Sequence, residues 1–239
     1  MGKVRTAICL SGLPKEVDET WRTLRDNILP QFPNPDVFIY SGEFYPVGGE
    51  FYATFQPKRY KVEPQIHHWK IEQAIGKFYH ISGHLNSYSQ QVYGLKKVWE
   101  IKKEYEEDTG VTYDYVIRTR PDFIWLRPLK MEYLDLTQIS TLHPNFAPTI
   151  CAEFAVGPNE KMEKYFNIYD WLIDYGESYL SQSHAVWKYS KEWNSDSILT
   201  TYLHDYHHMT IGTNDKIPHE FKSPYDYYRI MNRHKRGQY

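Results

Sequence analysis

The chain of 239 residues predicts an α/β fold in which a mostly parallel central sheet is flanked by helices, and three observations carry that prediction. Two apolar runs near the start, Val4–Leu13 and Asp36–Ser41, are separated by one stretch of helical periodicity. Strand, helix and strand with short connections open a parallel sheet. Further on, a long amphipathic stretch from Ser87 to Thr109 feeds directly into Tyr113–Arg120, a second unit of the same kind. The length suits one large domain over residues 1–239.

The first strand, VRTAICLSGL, ends in Ser11-Gly12, with Lys15 just beyond. Glycine lets a backbone turn or approach a ligand closely, so this is a natural nucleotide-binding turn as well as an ordinary one. Asp18 is placed to cap a helix whose apolar face is Trp21, Leu24, Ile28 and Leu29, stopped by Pro30. The second strand also ends in Ser-Gly. Residues 43–85 read as an irregular insertion with one weak strand at Arg59–Val62. Its histidines, His67, His68, His80 and His84, show no metal-ligand spacing and are expected to be exposed.

Ser87 and Gln90 form a capping box for the long helix, whose face is Tyr88, Val92, Leu95, Trp99 and Tyr105 and whose end is Asp108-Thr109-Gly110. Next comes YDYVIRTRPDFIWLRPL, the centre of the chain. Tyr115, Val116 and Ile117 suit a buried strand, and Pro121 must end it. Arg118, Arg120 and Asp122 therefore emerge together where a buried strand stops. In open α/β sheets, ligands bind outside the carboxyl ends of strands. The cluster is either such a site or a structural ion-pair network. Phe123–Leu126 reads as a second short strand.

Ile139–His143 and Cys151–Gly157 are two more strands, the latter carrying Glu153 inside an apolar run. A helix from Pro158 holds Met162, Tyr165, Phe166, Tyr169 and Leu172 on one face and is expected to close at Gly176. Another opens at Trp193-Asn194-Ser195-Asp196, where Asp196 either complements the helix dipole or serves a site. His207–Gly212 is a last strand, and residues 214–239 form a polar, increasingly basic tail or lid.

Composition excludes several classes. A formal charge of −2 and a pI near 6.6 give no global field for nucleic acid or an anionic membrane. No apolar run approaches the roughly 20 residues of a membrane span, and the N-terminus lacks a signal-peptide core. Cys9 and Cys151 lie in apolar runs and read as buried thiols, so a cytoplasmic protein is expected. The 22 tyrosines and 7 tryptophans suit stacking against sugars or bases as well as core filling.

Asp122-Phe123-Ile124-Trp125-Leu126-Arg127-Pro128-Leu129, following YDYVIRTRP, resembles the centre of the GT-A glycosyltransferases. More closely, its YD-x-V-I-x-x-R-P-D pattern resembles a group of glycosyltransferases linked to bacterial capsules and large viruses. Glu153-Phe-Ala-Val-Gly and the Asp196 helix resemble their acceptor-side elements. The resemblance implies a single GT-A-like (Rossmann-like) domain that moves a sugar from a nucleotide-diphosphate sugar, a UDP-sugar first, to a glycan hydroxyl. It implies donor binding by Ser11, Gly12, Lys15, Arg118, Arg120 and Asp122, with Mn²⁺ or Mg²⁺ on Asp122 and on His219 of the tail. Glu153 and Asp196 are the implied catalytic carboxylates. Burial is expected to raise the pKa of Glu153, and the helix dipole to keep Asp196 ionised. Arg120 departs from the pattern, standing where the first aspartate of Asp-x-Asp would be. That departure leaves room for a sugar-nucleotide- or glycan-binding protein that has lost catalysis. A nucleic-acid-binding module and a histidine-based metallohydrolase are more distant readings.

Overall fold

The computed structural model describes residues 4–12, 17–42, 48–78, 82–125, 128–130, 132, 134–141, 152–182 and 195–213. The chain is α/β, with a seven-stranded sheet in the order β3-β2-β1-β4-β6-β5-β7. The strands are β1 (Thr6–Ser11), β2 (Asp36–Ser41), β3 (Arg59–Val62), β4 (Tyr115–Thr119), β5 (Ile139–Thr141), β6 (Phe154–Pro158) and β7 (Ile211–Thr213). β3, β2, β1 and β4 are mutually parallel; β6 runs antiparallel to both β4 and β5, and β7 is parallel to β5. The sheet is therefore mostly parallel, as expected, with β6 as its one reversed strand.

Strands buried on both faces read as continuous apolar runs rather than alternating ones. That is why β1, β2 and β4 are where the sequence places them, each buried along almost its whole length. Successive side chains still divide between two cores. Ala7, Cys9, Phe38, Tyr40 and Val116 face one core, and Ile8, Leu10, Val37, Ile39 and Ile117 face the other. The first core is closed by α3 (Trp69–Ile75), α4 (Ser82–Thr109), α5 (Asn159–Phe166), α6 (Ile168–Gln182) and α7 (Ser195–Thr200). The second is closed by α1 (Val17–Asn27) and α2 (Gly48–Phe55).

Several expectations are corrected. Helix α1 begins at Val17, one residue before the expected cap Asp18, and Pro30 lies in a separate 3₁₀ turn, Leu29–Gln31. The 43–85 segment is irregular only in part where it is described, since besides the expected β3 it holds α2, α3 and the first turn of α4. Phe51 and Phe55 set one buried stripe, packing against Trp21 with ring centroids 6.5 and 6.3 Å apart. Ile71, Ala74 and Ile75 set the other. Helix α4 starts five residues before Ser87, so the capping box lies inside it. Buried Leu85 extends the apolar face by one turn, and packing overrides the local cap signal. The expected stop does hold: Gly110 has φ +68°, a conformation glycine adopts without strain.

Phe123–Trp125 is not a strand. Side-chain and main-chain groups of α1 hold this segment and the residues after it instead. The Trp125 N–H donates to Thr23 Oγ1 at 2.9 Å, Asn27 Nδ2 donates to the Trp125 carbonyl, and the Leu129 N–H donates to the Asn27 carbonyl at 3.0 Å. The expected helix from Pro158 to Gly176 is two helices, broken at Asn167, whose N–H bonds back to Glu163 and Lys164. Gly176 does not stop α6. It lies against α3, where an added Cβ would come within 3.2 Å of Ile75 Cγ2. Helix α7 continues as a π-helical turn, Thr201–Tyr206, and the last strand begins later than expected, at Ile211. Cys9 is a buried free thiol whose pKa burial pushes up to about 12. Cys151 lies outside the described residues. Among the described residues no helix is long and apolar enough to cross a membrane.

Candidate functional site

Because β1 and β4 are parallel neighbours, with Leu10 opposite Thr119, their carboxyl ends emerge side by side. The two stretches singled out in the sequence, Ser11-Gly12 and Arg118–Asp122, are thus brought together. Gly12 has φ +148°, and a Cβ there would lie 3.2 Å from Pro121 Cδ. The first turn therefore needs glycine, both for its backbone and for the proline beside it. Ser11 is buried, and its hydroxyl has no hydrogen-bond partner among the described residues. Helix α4 runs beneath it: a Cβ on Gly94 would approach Ser11 Oγ to 3.8 Å. The second turn is pinned from α1, where Thr20 Oγ1 donates to the Pro121 carbonyl at 2.6 Å.

Arg120 and Asp122 form a forked pair. Nε donates to Oδ1 at 2.8 Å and Nη2 to Oδ2 at 2.6 Å, so both carboxylate oxygens accept from one guanidinium. The Asp122 side chain is 9% exposed and that of Arg120 29%. Arg118 is fully buried on β4, on the same face as Ser11, and its Nη1 donates to the Glu153 carbonyl.

The reversal of β6 brings Glu153 to this edge. Thr119 pairs with Phe154, and one further step of the antiparallel register sets Arg120 opposite Glu153. Asp196, at the start of α7, joins the same edge. Its Oδ1 accepts from the Ala152 N–H at 3.2 Å, while the Ala152 carbonyl accepts from Tyr165 Oη at 3.2 Å and Gln91 Nε2 at 3.3 Å. Desolvation, reinforced by the nearby charge of Glu153, raises the pKa of Asp196 well above the ordinary carboxylate value. This corrects the expectation that the helix dipole keeps it ionised: α7 has six residues, and burial outweighs its dipole.

Ser11, Gly12, Arg118, Arg120, Asp122, Glu153 and Asp196 thus lie along one edge of the sheet, formed by the ends of β1 and β4 and the start of β6. Lys15 and His219 lie outside the described residues. Sequence reasoning missed Thr20, Gln91 and Tyr165, which position backbone at this edge. It also missed Thr119 and Thr141, whose buried hydroxyls have no hydrogen-bond partner among the described residues. A repeated signal was present, since β1, β2, β4, β5 and β7 each end in serine or threonine.

The described residues do not fit a divalent cation. No group of three or more His, Cys, Asp or Glu among them could hold one, and both oxygens of Asp122 already accept from Arg120. His67 is exposed beside Glu72, as expected. His68 is instead buried, with Nδ1 3.2 Å from Tyr169 Oη, and burial lowers its pKa. A separate open groove of about 490 Å³ lies between α3 and α6, lined by Trp69, Gln73, Asp174, Glu177 and Ser178 among others, and shares no residue with the strand-end site. The chain matches no protein-family model and no curated protein sequence.

Proposed function

We propose that this protein is a GT-A glycosyltransferase that moves a sugar from a nucleotide-diphosphate sugar, a UDP-sugar first, to a glycan hydroxyl. The observation that carries the reading is the convergence of buried Arg118, the Arg120–Asp122 pair and the Glu153–Asp196 carboxylates at the carboxyl edge of a mostly parallel sheet. Departure of a nucleoside diphosphate builds negative charge on phosphate oxygens, and fixed guanidinium groups stabilise that charge without reorganising. In this reading Ser11 and Gly12 take the diphosphate against the backbone, and Arg118 and Arg120 neutralise it. Glu153 accepts the proton of the acceptor hydroxyl. Asp196, whose pKa burial raises, donates a hydrogen bond to the sugar or to Glu153 in its neutral form.

One observation favours a second reading. The carboxylate of Asp122 is fully engaged within the chain, which suits a protein that binds sugar nucleotides or glycans without transferring the sugar. Release of nucleoside diphosphate from a panel of sugar nucleotides, with and without oligosaccharide acceptors, separates the two. Acceptor-stimulated release supports transfer. Saturable binding without release in any pairing supports the binding protein, and no binding at all contradicts both.

A further inference from the structure

We propose that the donor diphosphate is held at this edge by Arg118 and Arg120, the cations that the described residues bring there, with no divalent metal, and that Asp122 is a positioning residue for Arg120. This rests on the glycosyltransferase reading above. A hard cation must be bound by oxygen ligands with lone pairs directed at it. Asp122 is the one carboxylate in the RTRPD turn, and each of its oxygens accepts from Arg120 at 2.8 Å or less. A metal ion placed there would displace the guanidinium from the carboxylate and then stand beside its positive charge.

Positioning by Asp122 fits the same geometry. A carboxylate gripped by two parallel N–H groups fixes the plane of a guanidinium as well as its charge. The turn that carries the pair is itself braced by Thr20 on the Pro121 carbonyl and by Gly12 packed on the Pro121 ring. Arg118 is held differently: it is wholly buried in β4 and bonded to the main-chain carbonyl of Glu153, the residue just before β6. Arginine keeps its charge in such a place, whereas a buried lysine gives up its proton more readily. Two cations whose charge persists and whose orientation is set by the fold are what a diphosphate needs when no metal accompanies it. An arginine at position 120 is then a functional replacement for a metal-binding aspartate.

The test uses the full chain and UDP as probe, titrated by calorimetry once in EDTA and once with Mn²⁺. The expected result is binding in EDTA, with the affinity changed by less than about threefold on adding Mn²⁺. Arg120→Lys keeps a charge but loses the fork, and should weaken UDP binding in EDTA by about tenfold or more. Asp122→Asn should weaken it as well, through Arg120, while a thermal melt confirms that both variants fold. Binding of UDP that appears only with Mn²⁺ overturns this inference and leaves the donor-binding reading intact. Failure of UDP and of the other nucleoside diphosphates to bind under either condition overturns the reading on which it rests.

Discussion

Asp196 loses water around its carboxylate on folding and meets the charge of Glu153, so its folded pKa stands above the ordinary 3.8. The folded state therefore binds a proton that the unfolded state releases. Stability contributed by the neutral form is complete below about pH 4 and is lost as pH rises towards the folded pKa. Asp196→Asn removes that loss, so the variant should be more stable than the parent at neutral pH and show a flatter dependence above about pH 4, as measured by urea midpoints across the pH range. The two carboxylates also separate by role. If sugar transfer inverts configuration, Glu153→Gln should lower turnover by roughly 10²–10⁴-fold with donor affinity unchanged, and Asp196→Asn should act mainly on the acceptor's apparent affinity. Near-normal turnover in Glu153→Gln contradicts its role as base. The sequence located both residues but not their environments. An acid at a helix start reads as dipole-stabilised, and the burial that reverses this depends on packing between residues 152, 165 and 196.

The strand ends and the helix that crosses beneath them form the next scale. Gly12 sits at positive φ against the Pro121 ring, so Gly12→Ala combines backbone strain with a contact that must give way. The expected loss is about 1–3 kcal/mol of stability by denaturant unfolding, with weakened donor binding because the two turns separate. An unchanged unfolding midpoint would contradict the tight apposition of β1 and β4. The elements themselves were unevenly legible. β1, β2 and β4 were clear because strands buried on both faces are apolar throughout. Helices α2 and α3 are eight and seven residues long, too short to set up a periodic signal among so many aromatics. Phe123–Trp125 has strand composition, yet Thr23 and Asn27 of α1 offer its backbone groups partners that a strand prediction does not consider. Gly176 reads as a helix stop because a close approach between α3 and α6 leaves the same local mark as a chain reversal.

For the molecule as a whole, the position of the site follows from strand order. β1 and β4 are adjacent although more than a hundred residues separate them in sequence, and β6 is reversed, so its first residues meet their last ones. The mostly parallel sheet was legible from repeated strand–helix units. The reversal of β6 was not, because direction within a sheet leaves no mark in composition. The central claim is that a sugar nucleotide binds at this edge, and the most direct measurement is a crystal structure of the protein with the sugar nucleotide that most raises its melting temperature. The account predicts the diphosphate beside Ser11 and Gly12, within hydrogen-bond distance of Arg118 or Arg120, with the sugar towards Glu153 and Asp196. A ligand found instead in the groove between α3 and α6, with the strand ends empty, would contradict it.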